Sequence, residues 1–372
     1  MKVLERFLKR LLIMIVALFR SGKGRILQPR ELPVNRFRRI LIVRQHDQLG
    51  DLLISTPAIR AVRQRYPDAH IAVVVREYTA PLMWDNPNVD EIIVFSEKLN
   101  KWNYQKARSF VDQLRRDGGY DCAIMLNTIS RSLSSDIIAV LSNAKYIIGP
   151  SHLKLDQDMP EKIYNVLTPR NPKTVLQIEH NLDIVKAIGI PPAGMEYDLL
   201  IDEEETAEAE KNHYGLRLGS GISVGVHFGT LDETRRFPLP KLAKVIDWMK
   251  NTHDCEVVLI VGPNEVKMRN DLVRMLKTKV HSAPLMPIRV TAGFIKKMNL
   301  FLCNDTGTLH IASAMKVPTV SFHGPNDPAI WKPPHDRHIG VRAEDGKIGS
   351  ITVEQVTAAI NEQIDRIRSA HY

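Results

Sequence analysis

The chain has 372 residues, 44% hydrophobic and 25% charged, an ordinary globular balance with enough apolar material for two sizeable cores. Its net charge of +9 comes from one place: residues 1–40 hold eleven Lys/Arg and two Asp/Glu, so the remaining body is neutral and offers no basic face for nucleic acid. Three distant cysteines, Cys122, Cys255 and Cys303, form no CxxC pair, which argues against a zinc site or a disulfide framework and fits a reducing compartment.

In chain order, the basic tail comes first. Leu11 to Phe19 is an apolar run too short for a membrane span of ~20 residues. Leu4, Phe7, Leu8, Leu11, Leu12 and Ile15 recur at helical spacing, with Lys2, Arg6, Lys9 and Arg10 mostly on the other side. The pattern predicts an amphipathic helix lying on an anionic membrane surface. A signal peptide is the rival reading, but no small-residue cleavage site follows, and Arg20, Lys23 and Arg25 come next.

Beyond residue 39, short apolar runs at 40–43, 71–75, 92–95, 122–126 and 146–148 read as strands. Helical patterns lie around 56–66, 104–117 and 133–142. Near-continuous β-branched strands alternating with helices predict a parallel sheet covered on both faces. A helix near 177–188 ends at Gly189, and Pro191-Pro192 reads as a linker. The second half repeats the scheme, with strands at 222–227, 257–261, 299–303 and 319–322 and helices at 239–251, 265–277, 307–315 and 353–369. Gly149-Pro150, Gly262-Pro263 and Gly324-Pro325 stop strands at their carboxyl ends, where open α/β sheets bind ligands. The expectation is an α/β chain of two Rossmann-like domains facing each other across a cleft. Its parts are a membrane-surface segment 1–36, a domain 37–192, a domain 193–350, and a closing helix 351–372 that reaches back to the first domain.

Five stretches at these strand ends carry candidate chemistry. In "RQHDQLGDLLISTPAIRAV" (44–62), Gly50 lets a ligand approach the backbone, and Asp51 is either a helix-capping acid or a general base. His46 and Asp47 share that loop as weaker candidates. In "NDTGTLHIASA" (304–314), Asp305, Thr306 and Gly307 can turn backbone N–H groups and the positive helix end toward a phosphate, with Thr308 and His310 in the first turns. The plain alternative is a capped helix with a hydrogen-bonded His310. Neither GxGxxG nor GxxxxGK[ST] occurs there, so neither a dinucleotide fingerprint nor a P-loop is present. In "HFGTLDETRRFP" (227–238), residues 227–230, ending at Thr230, can hold a nucleotide phosphate that Arg235 or Arg236 neutralises; the alternative is a solvated charged loop. "VGPNE" (261–265) puts Glu265 at a helix start, and "FHGPNDPAIWKP" (322–333) offers Trp331 as a core residue or a stacking platform.

Together, "LIVRQHDQLGDLLISTPAIRAVRQRYPDAHIAVVV" and "NLFLCNDTGTLHIASAMKVPTVSFHGPNDPAIWKP", with weaker support from "RRFP" and "HNLDIVKAIGI", resemble the lipopolysaccharide heptosyltransferase family (glycosyltransferase family 9, GT-B fold) over roughly residues 38–345. The resemblance implies an inverting transfer of heptose from ADP-heptose, the nucleotide-sugar co-substrate, to the lipopolysaccharide inner core. It implies Asp51 as the base, with Gly50 and His46 on the acceptor side. Thr230, Arg235 (where Lys is commoner in the family), Glu265, Asp305, Thr306, Gly307 and His310 would then hold the donor. No Asp-x-Asp motif is placed to hold a metal, and no cofactor is expected. The expected location is the inner face of the cytoplasmic membrane, with residues 1–30 on anionic lipid and no nucleic-acid partner. The alternative from another class is a non-catalytic nucleotide-sugar-binding or scaffold protein at the membrane, which needs Asp305 to His310 but not Asp51.

Overall fold

The computed structural model describes residues 26–45, 48–98, 101–153, 161 and 163–370, so the expected amphipathic helix and His46 lie outside the described residues. The chain forms two compact units that divide between Asp198 and Leu199.

The first domain is built on β1 (Arg39–Val43), β2 (His70–Arg76), β3 (Glu91–Phe95), β4 (Cys122–Met125), β5 (Tyr146–Pro150) and β6 (Val166–Thr168), with helices α1 (Leu49–Arg65), α2 (Tyr104–Leu114), α3 (Leu133–Leu141) and α4 (Gln177–Ala187). The strands lie parallel in the order β3-β2-β1-β4-β5-β6. Ile40–Val43 and Ile71–Val75 are buried on both faces, which is why these runs read as continuous rather than alternating.

Helix α1 begins at Leu49, earlier than the pattern suggests, because Pro57 stands inside it rather than at its start. A proline has no N–H for the carbonyl four residues back. The Thr56 hydroxyl donates to that carbonyl, Leu53 O, at 2.7 Å instead, and so keeps the helix continuous. The same hydroxyl oxygen accepts the Asp198 N–H at 2.9 Å. Arg60 donates to Ala193 O at 2.9 Å and pairs with the Asp198 carboxylate, so the segment after Pro191-Pro192 belongs to the first domain.

The start of this domain also moves. Leu27 forms a bridge to Val166, Leu32 is buried, and Phe37 packs 6.0 Å from the Tyr66 and Tyr146 rings. Residues 26–36 are therefore part of the first domain and not of the tail expected to span 1–36.

The second domain contains β7 (Ile222–His227), β8 (Cys255–Leu259), β9 (His281–Ser282), β10 (Leu300–Asn304), β11 (Thr319–His323) and β12 (His338–Arg342). Its helices are α5 (Glu203–Gly215), α6 (Leu239–Thr252), α7 (Val266–Met275), α8 (Ile288–Ile295), α9 (Gly307–Ala314), α10 (Pro328–Trp331) and α11 (Val353–Ala370). This sheet is also parallel, in the order β12-β11-β10-β7-β8-β9. Both sheets thus start at a central strand, run outward on one side, then restart on the other. The crevice of such a sheet opens where the order reverses, between β1 and β4 in one domain and between β7 and β10 in the other. The closing helix α11 buries Val356, Ile360 and Ile364 in the core of the second domain.

A buried polar cluster backs the first domain's crevice. Gly149 lies beneath Tyr164, so close that a Cβ there would sit 2.6 Å from the ring. Tyr164 in turn lies 5.2 Å from the Arg131 guanidinium, whose Nε is 3.0 Å from Asp136 Oδ2. Both charged side chains are fully buried. Burial pushes the Asp136 carboxyl up to about 6, and Arg131 only partly opposes it. Removing one partner of such a pair strands the other charge. Arg131→Met should therefore lower the unfolding free energy by ~3–5 kcal/mol in urea denaturation, and pairing it with Asp136→Leu should restore most of the loss. A single variant as stable as wild type would contradict this.

Candidate active site

In the first domain, β1 ends at Val43 and the chain turns into α1 through Arg44, Gln45 and Gln48. Asp51 stands in the first turn of α1, half-buried, and its Oδ2 accepts the Gln48 N–H at 3.1 Å. The N-cap is Gln48 rather than Asp51, which instead reaches back from the third helical position to the cap's own N–H. Gly50 is buried in the same turn. Arg44, which sequence reasoning passed over, is buried and donates to Asp51 O at 3.0 Å and to Leu126 O. It thereby ties the start of α1 to the end of β4. Beside it, Gln45 donates to Ser134 at 2.8 Å and accepts from Ser135 at 3.1 Å, and Asn127 donates to Ser135 at 3.0 Å. These groups make a polar lining along the β1/β4 reversal.

In the second domain the four expected stretches do meet at the carboxyl ends of the strands. Asn304, the last residue of β10, is fully buried. Its amide donates to Phe228 O at 2.8 Å and accepts the Phe237 N–H at 3.0 Å, which fixes both ends of the loop that carries Arg235. Arg235 donates through Nη2 to the backbone and carboxylate of Asp305, the latter at 2.6 Å, and Asn326 donates to the same oxygen at 2.7 Å. Among the described residues, Arg235 Nε has no hydrogen-bond partner. Asp305 is thus a buried anchor for the guanidinium.

Thr306 caps α9, and Gly307 opens it. The Thr306 hydroxyl lies 2.9 Å from that of Thr308, which lies 3.2 Å from His227 Nδ1. His227 Nε2 is 3.2 Å from Glu265 Oε2, and the same oxygen accepts the Gly262 N–H at 2.7 Å. Burial pushes Glu265 up, but hydrogen bonds and charge from His227, with Gly262 and Arg236, outweigh it and hold the carboxyl below its usual range. A Cβ on Gly229 would fall 1.5 Å from Glu265 Oε1, so glycine is what allows Glu265 to lie against this loop.

Thr230 is less engaged than expected: it is half-buried, and its hydroxyl donates to Asp232 O within its own loop at 3.2 Å. Trp331 ends α10 half-buried. Among the described residues, no group of three or more His, Cys, Asp and Glu is placed to hold a metal ion, and no helix is long and apolar enough to cross a membrane.

The family model of glycosyltransferase family 9 (heptosyltransferase) matches residues 107–357. The chain belongs to glycosyltransferase family 9. Lipopolysaccharide heptosyltransferase 3 of Escherichia coli K12 is 24% identical over 302 residues, covering 76% of this chain and 82% of that protein. The structure of a family 9 glycosyl transferase from Veillonella parvula matches with a TM-score of 0.76 at 22% identity, over 88% of this chain and 97% of that one. The E. coli ADP-heptose lipopolysaccharide heptosyltransferase II matches with a TM-score of 0.70 at 20% identity, over 90% of this chain and all of that one. The two-domain fold expected from the sequence is thereby shown, and so is its assignment as a glycosyltransferase.

This family 9 enzyme keeps three histidines neutral inside its second domain. Burial pushes His310 down to about 4; Asp305 pulls it back up, while His323 and Arg235 add to the depression. Burial likewise puts His323 at about 4 and His338 at about 3. Above the ordinary histidine value both folded and unfolded states are neutral. Below it only the unfolded state takes up protons, so stability falls as pH drops from about 6.5 toward 4. Unfolding at about pH 5.5 should bind up to three extra protons, each adding a slope of about 1.4 kcal/mol per pH unit, and His323→Gln should remove about one of them. Urea titrations across that range check this, and a pH-independent midpoint would contradict it.

Proposed function

We propose that this glycosyltransferase moves a heptose from ADP-heptose to a hydroxyl of the lipopolysaccharide inner core, with inversion at the anomeric carbon. The observation that carries the reading is the paired arrangement at the strand-order reversals. One crevice presents a carboxylate, Asp51, at a helix start beside a polar lining. The other presents N–H donors at Gly307, a guanidinium anchored on Asp305, and a carboxylate at Glu265. The first set suits an acceptor hydroxyl and the second an anionic nucleotide sugar. The names of the E. coli relatives support heptose as the sugar.

In this reading the acceptor oxygen attacks the anomeric carbon from the face opposite the diphosphate, and Asp51 takes its proton. The carbon–oxygen bond to the diphosphate breaks, and the leaving group departs with the added negative charge. Arg235 and the first N–H groups of α9 stabilise that charge as it forms. The cap hydrogen bond from Gln48 N–H holds one Asp51 oxygen in place. Asp51→Asn should keep the fold and donor affinity and lose turnover by ~10² or more. Arg235→Ala should lose ~2–4 kcal/mol of transition-state stabilisation. Steady-state kinetics on nucleotide-sugar and truncated-acceptor panels test both; near-normal turnover of Asp51→Asn would remove it as the base.

We also infer that the basic tail holds the enzyme on the anionic inner face of the cytoplasmic membrane. The whole +9 charge lies within residues 1–40, beside the apolar run of residues 11–19. Each cation near such a surface contributes ~1 kcal/mol, weakened by salt. Because residues 26–36 pack on the first domain, the cut belongs after residue 25. Deleting residues 1–25 should move the protein to the soluble fraction and leave turnover on a delipidated acceptor nearly unchanged. Equal partition of both forms onto anionic vesicles would refute the anchor.

A further inference from the structure

The hydrogen bonds that run from Glu265 to Thr306 have a direction. An ionised carboxylate only accepts, so His227 Nε2 carries the proton that faces Glu265 Oε2 across 3.2 Å. Where the imidazole carries that one proton, Nδ1 is a lone pair to which the Thr308 hydroxyl donates across 3.2 Å. With its single proton engaged, Thr308 accepts across the 2.9 Å to Thr306, which must donate. The other acceptor in reach of the Thr306 proton is Asn304 O at 3.4 Å, also inside the protein. In both of these bonds the half-exposed Thr306 oxygen turns its lone pairs to whatever binds beside it.

We propose that His227 is a positioning residue that, through Thr308, makes the Thr306 hydroxyl an acceptor, so that Thr306 reads a hydroxyl of the bound sugar and does not donate to the diphosphate. This rests on the nucleotide-sugar reading above. It also divides the labour between neighbours. Groups that only donate, the α9 N–H groups and Arg235, serve the anion. The acceptor in their midst serves the sugar, and a phosphate oxygen set against it would meet lone pair to lone pair. The hydroxyl of Thr306 is thereby assigned to the sugar, and the phosphate role expected of this residue stays with its backbone N–H. His227 is buried and need not touch the ligand to act.

Calorimetric titration of the full chain with ADP and with ADP-heptose tests this at about pH 8.5, on the alkaline side of ordinary histidine titration. Thr306→Val keeps the shape and removes the hydroxyl. It should weaken ADP-heptose about tenfold and ADP less than about twofold, the worth of one hydrogen bond to the sugar alone. Thr306→Ser should restore ADP-heptose. His227→Asn can set its amide oxygen where Nδ1 lies, and should hold the ADP-heptose to ADP affinity ratio near wild type. His227→Phe, which cannot accept from Thr308, should lower that ratio about fivefold with ADP affinity retained. If His227→Phe fails to fold, the Thr306 pair still decides. Equal weakening of both ligands by Thr306→Val would show a phosphate donor and overturn the proposal, as would no change in either. A wild-type chain that binds neither ligand overturns the nucleotide-sugar reading and this proposal with it.

Discussion

In a parallel sheet the strands all end at one edge, and the loops there leave the ladder with backbone groups that must find partners or remain in contact with water. At the two strand-order reversals this chain supplies those partners from side chains. Arg44 holds the start of α1 to the end of β4, and Asn304 holds both ends of the loop between Phe228 and Phe237. The residues proposed to act on the substrates are hung on these two fixings. Asp51 has a defined place because its own helix turn is tied down, and Arg235 meets Asp305 because Asn304 sets the path of the loop that carries it.

The second crevice therefore serves structure and chemistry with the same bonds. The Asp305 carboxylate is buried, and its pairing with Arg235 and Asn326 answers its own need for partners. The same pairing orients the guanidinium and leaves Nε unengaged. Glu265 fits against Gly229 only because no side chain is there, and its bond to His227 links β8 to β7 and onward to α9. In the proposed reaction, groups held in place before an anionic ligand arrives need no reorganisation when charge develops, which is where electrostatic catalysis gains most.

Much of this was legible from residues. The strand at 222–227 is found where its apolar run places it, and α6 starts at Leu239 just after Pro238. Gly-Pro stops and the motifs beside them pointed to the carboxyl edge. Other features were hidden for physical reasons. The helical pattern read around 56–66 starts late, and only the Thr56 hydroxyl explains how α1 passes through Pro57. Helix α5 is almost wholly polar, with Ala209 as its buried residue, so no apolar stripe announces it. Strand β9 has two residues and β12 reads "HIGVR", too short or too broken for a period. The link between His227 and Thr308 joins residues 81 apart, and the buried pair of Arg131 and Asp136 lies against Tyr164, from a different strand-end segment. Neither can be seen without the fold.

The central claim is that the two crevices serve one reaction, transfer of a sugar from a nucleotide to a hydroxyl with inversion. The most direct measurement is NMR of the product formed from ADP-heptose and a heptose-deficient lipopolysaccharide core, with released ADP quantified alongside. The account predicts one ADP for each new glycosidic bond and an anomeric configuration opposite to that of the donor. Retention of the donor's configuration, or bound ADP-heptose that is never transferred to any core acceptor, would contradict it.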